Sequence, residues 1–133
     1  LDASLCEVHV ISAEFGAFQQ GWHRDTSLSA GRTVVTLFTA LQKTTRRRGA
    51  TLMKPRSHEP TPDKENQNES MFESVAVELE SGDCCFMDSR LLHCGGAHTD
   101  SSLNARLLFS ISFLISGTVA QGMIMRESYV HKF

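Results

Sequence analysis

Gly82 to Phe113 reads GDCCFMDSRLLHCGGAHTDSSLNARLLFSISF, and its C-terminal part decides the fold class because the two faces of that strand differ in kind. Along Leu103 to Ile115 successive side chains of an extended chain point to opposite sides. Leu107, Phe109, Ile111, Phe113 and Ile115 make an unbroken apolar stripe, while Arg106, Leu108, Ser110, Ser112 and Leu114 share the other face. A charge among apolar neighbours on a face with two serines has two readings. Either that face is solvated, or it looks into a polar pocket where Arg106 meets an anion. In the same stretch Cys84 to Met87 is a short apolar strand, and His93 precedes Arg106 by thirteen residues, which suggests neighbouring strands for the pair.

Strand patterns continue outward from this segment. Arg32 to Leu41, RTVVTLFTAL, is dense in β-branched and apolar residues and has no helix breaker or cap. Ser4 to Ile11, SLCEVHVI, alternates, with Leu5 and the Val8/Val10 pair offering different faces. Val75 to Glu80 alternates with period two, and Ser81-Gly82-Asp83 then reads as the turn of a hairpin into Cys84. Short strands, irregularly spaced turns and no amphipathic helix point to an all-β sandwich or jelly roll. A chain of 133 residues is one domain, 1–133, and buries roughly two-thirds of its unfolded surface.

Charge is unevenly spread. Lys43 to Arg56 carries six positive charges and no acid, and Glu59 to Glu73 is mainly acidic. A solvated basic turn followed by a surface loop at about 59–72 is the plain reading, since Pro60 to Ser70 contains no apolar residue and reads as poorly ordered. The functional reading is a rim that attracts an anionic substrate. Net charge of -2 implies no nucleic acid or other polyanion as partner. No run approaches the roughly 20 apolar residues of a membrane helix, and the N-terminus has no basic segment followed by a long apolar one. Cys6, Cys84, Cys85 and Cys94 form no CxxC pair, which argues against a disulfide framework and for a reducing, intracellular, cytoplasmic setting.

His23 and Asp25, in WHRDT, are separated by one residue. On an extended strand both lie on one face, with Cα atoms about 6.6 Å apart from a rise of about 3.3 Å per residue. With His93 they form a two-histidine, one-carboxylate set, the facial arrangement that suits non-haem ferrous oxygenases; zinc prefers a closed tetrahedron, for which the cysteines are badly spaced. A planar guanidinium binds a carboxylate at two points, so Arg106 reads as the anchor of a dicarboxylate. The competing reading is a surface arginine paired with Asp83 or Asp100. Trp22 is a candidate for the substrate mouth, and His9, His58, His98 and His131 read as structural or surface residues.

WHRDT, RTVVTLFTALQ, the KPRSH turn and above all Gly82 to Phe113 resemble the phytanoyl-CoA dioxygenase family of Fe(II)/2-oxoglutarate oxygenases, over most of residues 20–115. The resemblance implies a double-stranded β-helix (a cupin-like jelly roll) with iron held by His23, Asp25 and His93. It implies that Arg106 binds the distal carboxylate of 2-oxoglutarate and that Phe38 places a ring against that co-substrate. The implied reaction uses O2, with ascorbate as a stimulant, and hydroxylates a small-molecule or acyl substrate with release of succinate and carbon dioxide. Related halogenases put a small residue where Asp25 stands, so hydroxylation is expected rather than halogenation.

The family pattern is broken in two places. A serine that helps bind 2-oxoglutarate often lies two residues after the distal histidine, and Gly95 stands there. Family members also carry a longer N-terminal region with helices packed on the larger sheet, so that support is expected to be missing or truncated here. These departures favour two alternatives: a catalytically silent jelly roll that binds a metal or small carboxylate, and a zinc- or manganese-binding cupin-like enzyme that does not use 2-oxoglutarate.

Overall fold

The computed structural model describes residues 3–28, 31, 33–59 and 69–116. Most of the acidic loop expected at 59–72 lies outside the described residues. Among the described residues, seven strands, β1 (Ser4–Ala13), β2 (Thr33–Ala40), β3 (Thr51–Met53), β4 (Val75–Ala76), β5 (Cys84–Asp88), β6 (His93–Gly95) and β7 (Arg106–Ser116), are joined by loops and a 3-10 turn, Glu69–Met71. They make two antiparallel sheets, ordered β1-β7-β2-β5 and β4-β3-β6. This is the all-β, jelly-roll architecture expected from the strand pattern. Among the described residues no helix is long and apolar enough to cross a membrane.

β2 shows why the large sheet holds. Its burial alternates strictly, with Val34, Thr36, Phe38 and Ala40 buried and the residues between them half-buried. The strand is hydrogen-bonded on both edges, to β5 and β7. Between the sheets Phe38, Ala40, Met53, Met87, Leu91 and Leu108 form one apolar cluster, and Cys6, Val34 and Leu114 form a second. Between these clusters runs a polar belt. Thr36 Oγ1 and Ser112 Oγ, both buried, share a hydrogen bond of 2.9 Å.

Two expectations from the sequence fail for topological reasons. The turn at Glu80 to Asp83 forms, with Gly82 at a positive φ of 89° that favours glycine and Asp83 N donating to Glu80 O at 3.1 Å. The segments beside it nevertheless join different sheets: β4 pairs with β3, Leu79 bridges to Thr44, and β5 pairs with β2. It is a crossover, not a hairpin. His93 and Arg106 are likewise on strands of opposite sheets rather than on neighbouring strands, and they meet across the interior.

Candidate metal centre

His23 lies in the loop after β1, outside any regular strand. Mutual backbone hydrogen bonds of 3.0 Å with His93 hold it against β6. The loop is clamped further on by Thr26 N donating to Ser89 O at 3.0 Å, by Ser89 Oγ donating to Thr26 Oγ1 at 2.8 Å and by Arg24 Nη1 donating to Arg90 O at 2.7 Å. Burial pushes the Arg24 guanidinium below its usual range. Arg90 is in turn fixed by paired hydrogen bonds to Asp88, of 2.9 and 2.6 Å. Burial works against the Asp88 charge, but the hydrogen bonds from Arg90 hold its carboxyl below the usual carboxylate range.

The imidazoles are oriented by their own backbones. His23 Nδ1 lies 2.9 Å from Gly21 O and His93 Nδ1 lies 3.0 Å from Leu91 O. A carbonyl can only accept, so both Nδ1 atoms carry a proton, which leaves Nε2 as the atom of each ring that can ligate a metal. The two Nε2 atoms lie near Asp25 Oδ1, at 3.7 Å from His23 and 3.5 Å from His93. The ligand atoms of all three residues lie within 4.8 Å of one another. Three potential ligand atoms so close together suit a cation. His93 is buried while His23 and Asp25 are exposed, which leaves one side of such an ion open.

Arg106 lines the same cavity, a space of about 230 Å³ also lined by Thr36, Phe38, Ser110 and Ser112. It is only 4% exposed, and burial pushes its guanidinium below the usual range. Among the described residues its Nε has no hydrogen-bond partner. Neither acid suggested as a surface partner is used that way: Asp100 pairs with Arg47 at 3.5 Å, and Asp83 accepts from the backbone of Glu80. Of the two readings of the serine-bearing face, the geometry gives the polar pocket.

The site also contains residues that the sequence reading set aside. His9, read as a surface residue, lines the cavity beside Glu7, and their side chains lie 3.6 Å apart. The signal was parity, since Glu7, His9 and Ile11 share the face opposite Val8 and Val10. Gln20 and Thr51 also line it, with no sequence pattern to mark them. Trp22 instead stacks under Lys54, whose Nζ is 4.4 Å from the ring centroid. His98 is structural, buried with Nε2 donating to Asn104 O at 3.1 Å, and His131 lies outside the described residues. The basic segment is largely engaged: Lys43 meets Glu80 at 2.5 Å, and Arg48 donates to the carbonyls of Lys43, Asn104 and Ala105.

The family model for phytanoyl-CoA dioxygenase matches residues 6–105, a span that includes His23, Asp25 and His93 and stops one residue short of Arg106. The chain belongs to this family. Among solved structures it is similar to the non-heme alpha ketoglutarate dependent epimerase SnoN from nogalamycin biosynthesis, at 25% identity and a TM-score of 0.69, covering 85% of this chain and 49% of SnoN. AviO1 from Streptomyces viridochromogenes Tue57 matches at 22% identity and a TM-score of 0.73, covering 89% of this chain and 53% of AviO1. The alpha ketoglutarate dependent carbocyclase SnoK matches at 18% and 0.71, covering 85% and 50%; for these last two the likeness is one of fold. This chain thus spans about half the length of the solved structures it matches. No curated protein matches it.

Proposed function

We propose that the chain forms the iron- and 2-oxoglutarate-binding core of a non-haem dioxygenase that hydroxylates an unactivated C–H bond of a small-molecule or acyl substrate. One observation carries the reading: a buried guanidinium whose Nε lacks a partner among the described residues shares a cavity with two oriented histidines and a carboxylate. A buried charge without a partner is costly, and the cost is met when a ligand supplies the counter-charge. A ligand with a metal-chelating head and a distal carboxylate satisfies both ends at once. SnoN has been solved with Fe3+, alpha ketoglutarate and nogalamycin RO, which supports the same cofactor pair here.

His23, Asp25 and His93 would hold the ion from one side, and the two carbonyl-bonded Nδ1 atoms keep the rings aimed at it. Arg106 would take the distal carboxylate, while Phe38 offers a ring on the neighbouring strand of the same face. Iron and 2-oxoglutarate, when bound, supply the oxidation by O2 that yields succinate and carbon dioxide. Asp25 would take the coordination position that a halide needs, which favours hydroxylation. Two histidines and a carboxylate are also a poor match to the closed tetrahedron of a structural zinc site.

Calorimetric titration of Mn(II)-loaded protein with 2-oxoglutarate tests the site. Arg106→Ala should weaken binding by about a hundredfold, in line with the roughly 2–5 kcal/mol lost on truncating one member of a buried charge pair. His93→Ala should abolish Mn(II) binding itself. An Arg106→Ala protein that binds 2-oxoglutarate as the wild type does would sink the proposal. Succinate formation with Fe(II), ascorbate and 2-oxoglutarate separates an enzyme from a silent binding domain: co-substrate bound without turnover favours the latter.

A further inference from the structure

We propose that Gln20 is the residue that positions 2-oxoglutarate in place of a side chain at residue 95, an inference that rests on the cofactor reading above. Gln20 and Gly95 are tied twice. Gln20 N donates to Gly95 O at 2.9 Å, and Gly95 N donates to Gln20 Oε1 at 2.8 Å. A Cβ built on Gly95 would lie 2.9 Å from Gln20 Oε1, 3.2 Å from Cδ and 3.6 Å from Cγ. The carboxamide therefore sits in the volume that a side chain at 95 would fill.

Gly95 is not demanded by its own backbone, since it is absent from the glycines with positive φ. The next residue makes the contrast: a Cβ on Gly96 would run into the backbone carbonyl of Ala50, which cannot swing away. At Gly96 the main chain requires glycine, whereas at Gly95 one glutamine side chain does. The tie also fixes which way the amide faces. Gly95 N–H can only donate, so Oε1 must be the acceptor, and Nε2 with both its hydrogens is left for a ligand in the cavity that Gln20 lines. A neutral donor beside Arg106, His23 and His93 suits a carboxylate oxygen. Gln20 thus supplies the hydrogen bond that the family resemblance assigns to a serine hydroxyl.

The test is a double-mutant cycle read by calorimetry of 2-oxoglutarate on Mn(II)-loaded protein, with Mn(II) affinity measured alongside. Gln20→Ala should weaken 2-oxoglutarate about tenfold, the size of one hydrogen bond to a charged group. Gly95→Ser alone should also weaken it, because the new Cβ displaces the carboxamide. Joined to Gln20→Ala it should restore affinity to near the wild-type value, with Mn(II) affinity unchanged throughout. Gln20→Glu keeps the acceptor toward Gly95 N–H while removing the donor, so it should bind more weakly than the wild type in an undisturbed loop. Wild-type affinity in Gln20→Ala or Gln20→Glu, or a double variant no better than Gln20→Ala, overturns the inference. If Arg106→Ala still loses binding in that case, the cofactor reading survives; if Arg106→Ala is also silent, both fall.

Discussion

The two faces of β7 reverse the usual order of a half-buried antiparallel strand, in which apolar residues point inward and polar ones face water. Inward are Arg106, Ser110 and Ser112, each under a tenth exposed, alongside Leu108 and Leu114. Outward is the apolar stripe, whose register continues across all four strands as Val8, Ile111, Leu37 and Phe86. Val8, Val10 and Phe86 are 46%, 60% and 70% exposed. The difference separates what the sheet does from what holds it. The interior between the two apolar clusters is lined by buried polar side chains, and the outer face is the kind of surface that another layer covers.

Replacing the inner charge is the strongest way to break that comparison. If Arg106 is kept for a ligand and not for the fold, Arg106→Met should unfold at higher denaturant concentration than the wild type while losing 2-oxoglutarate binding. Replacing buried ionic groups by apolar ones of similar volume has stabilised other proteins by about 1–4 kcal/mol, and an unpaired charge belongs with those cases. A marked loss of stability in ligand-free Arg106→Met would make the arginine a structural element, and the inner face would then be an ordinary core with an odd member.

How much of this was readable from the chain follows from which features are local. The period-two patterns of β1, β2 and β7 are local, so those strands and the unusual parity of Arg106 with Ser110 and Ser112 were visible. The cluster of His23, Asp25 and His93 was visible because the first two lie two residues apart and His93 sits in a recognisable motif. Pairing partners were less so. Val75 to Glu80 alternates well enough for a hairpin, yet only Val75–Ala76 becomes a strand, because Leu79 is taken by Thr44 in another part of the fold. His9 was marked only by its parity with Glu7 and Ile11, which does not say which face of β1 turns inward, and Gln20 reaches the cavity through its tie to β6, which nothing in its neighbours' identity announces.

A second experiment sharpens the comparison inside the polar belt. Thr36 and Ser112 satisfy each other, so Ser112→Ala alone should cost about 1–3 kcal/mol, the desolvation penalty of a buried hydroxyl left unpaired. Adding Thr36→Val removes both partners and should recover most of that loss. Urea denaturation of the two singles and the double measures it. Additive losses would mean that each hydroxyl has some other role in the folded, ligand-free protein.

The smallest effect is expected on the opposite face. Phe86 leaves 70% of its surface in water on the edge strand β5, so Phe86→Ser removes little buried area and should change stability within about 0.5 kcal/mol. It should lower the binding of an apolar dye such as ANS, because one end of the cross-strand row disappears, and leave 2-oxoglutarate affinity untouched. Loss of more than about 2 kcal/mol is the scale of emptying a packed core site. That outcome would show the outer face to be already covered in solution, whether by a second copy or by residues beyond those described, and the contrast between the two faces of β7 would be one between two interiors.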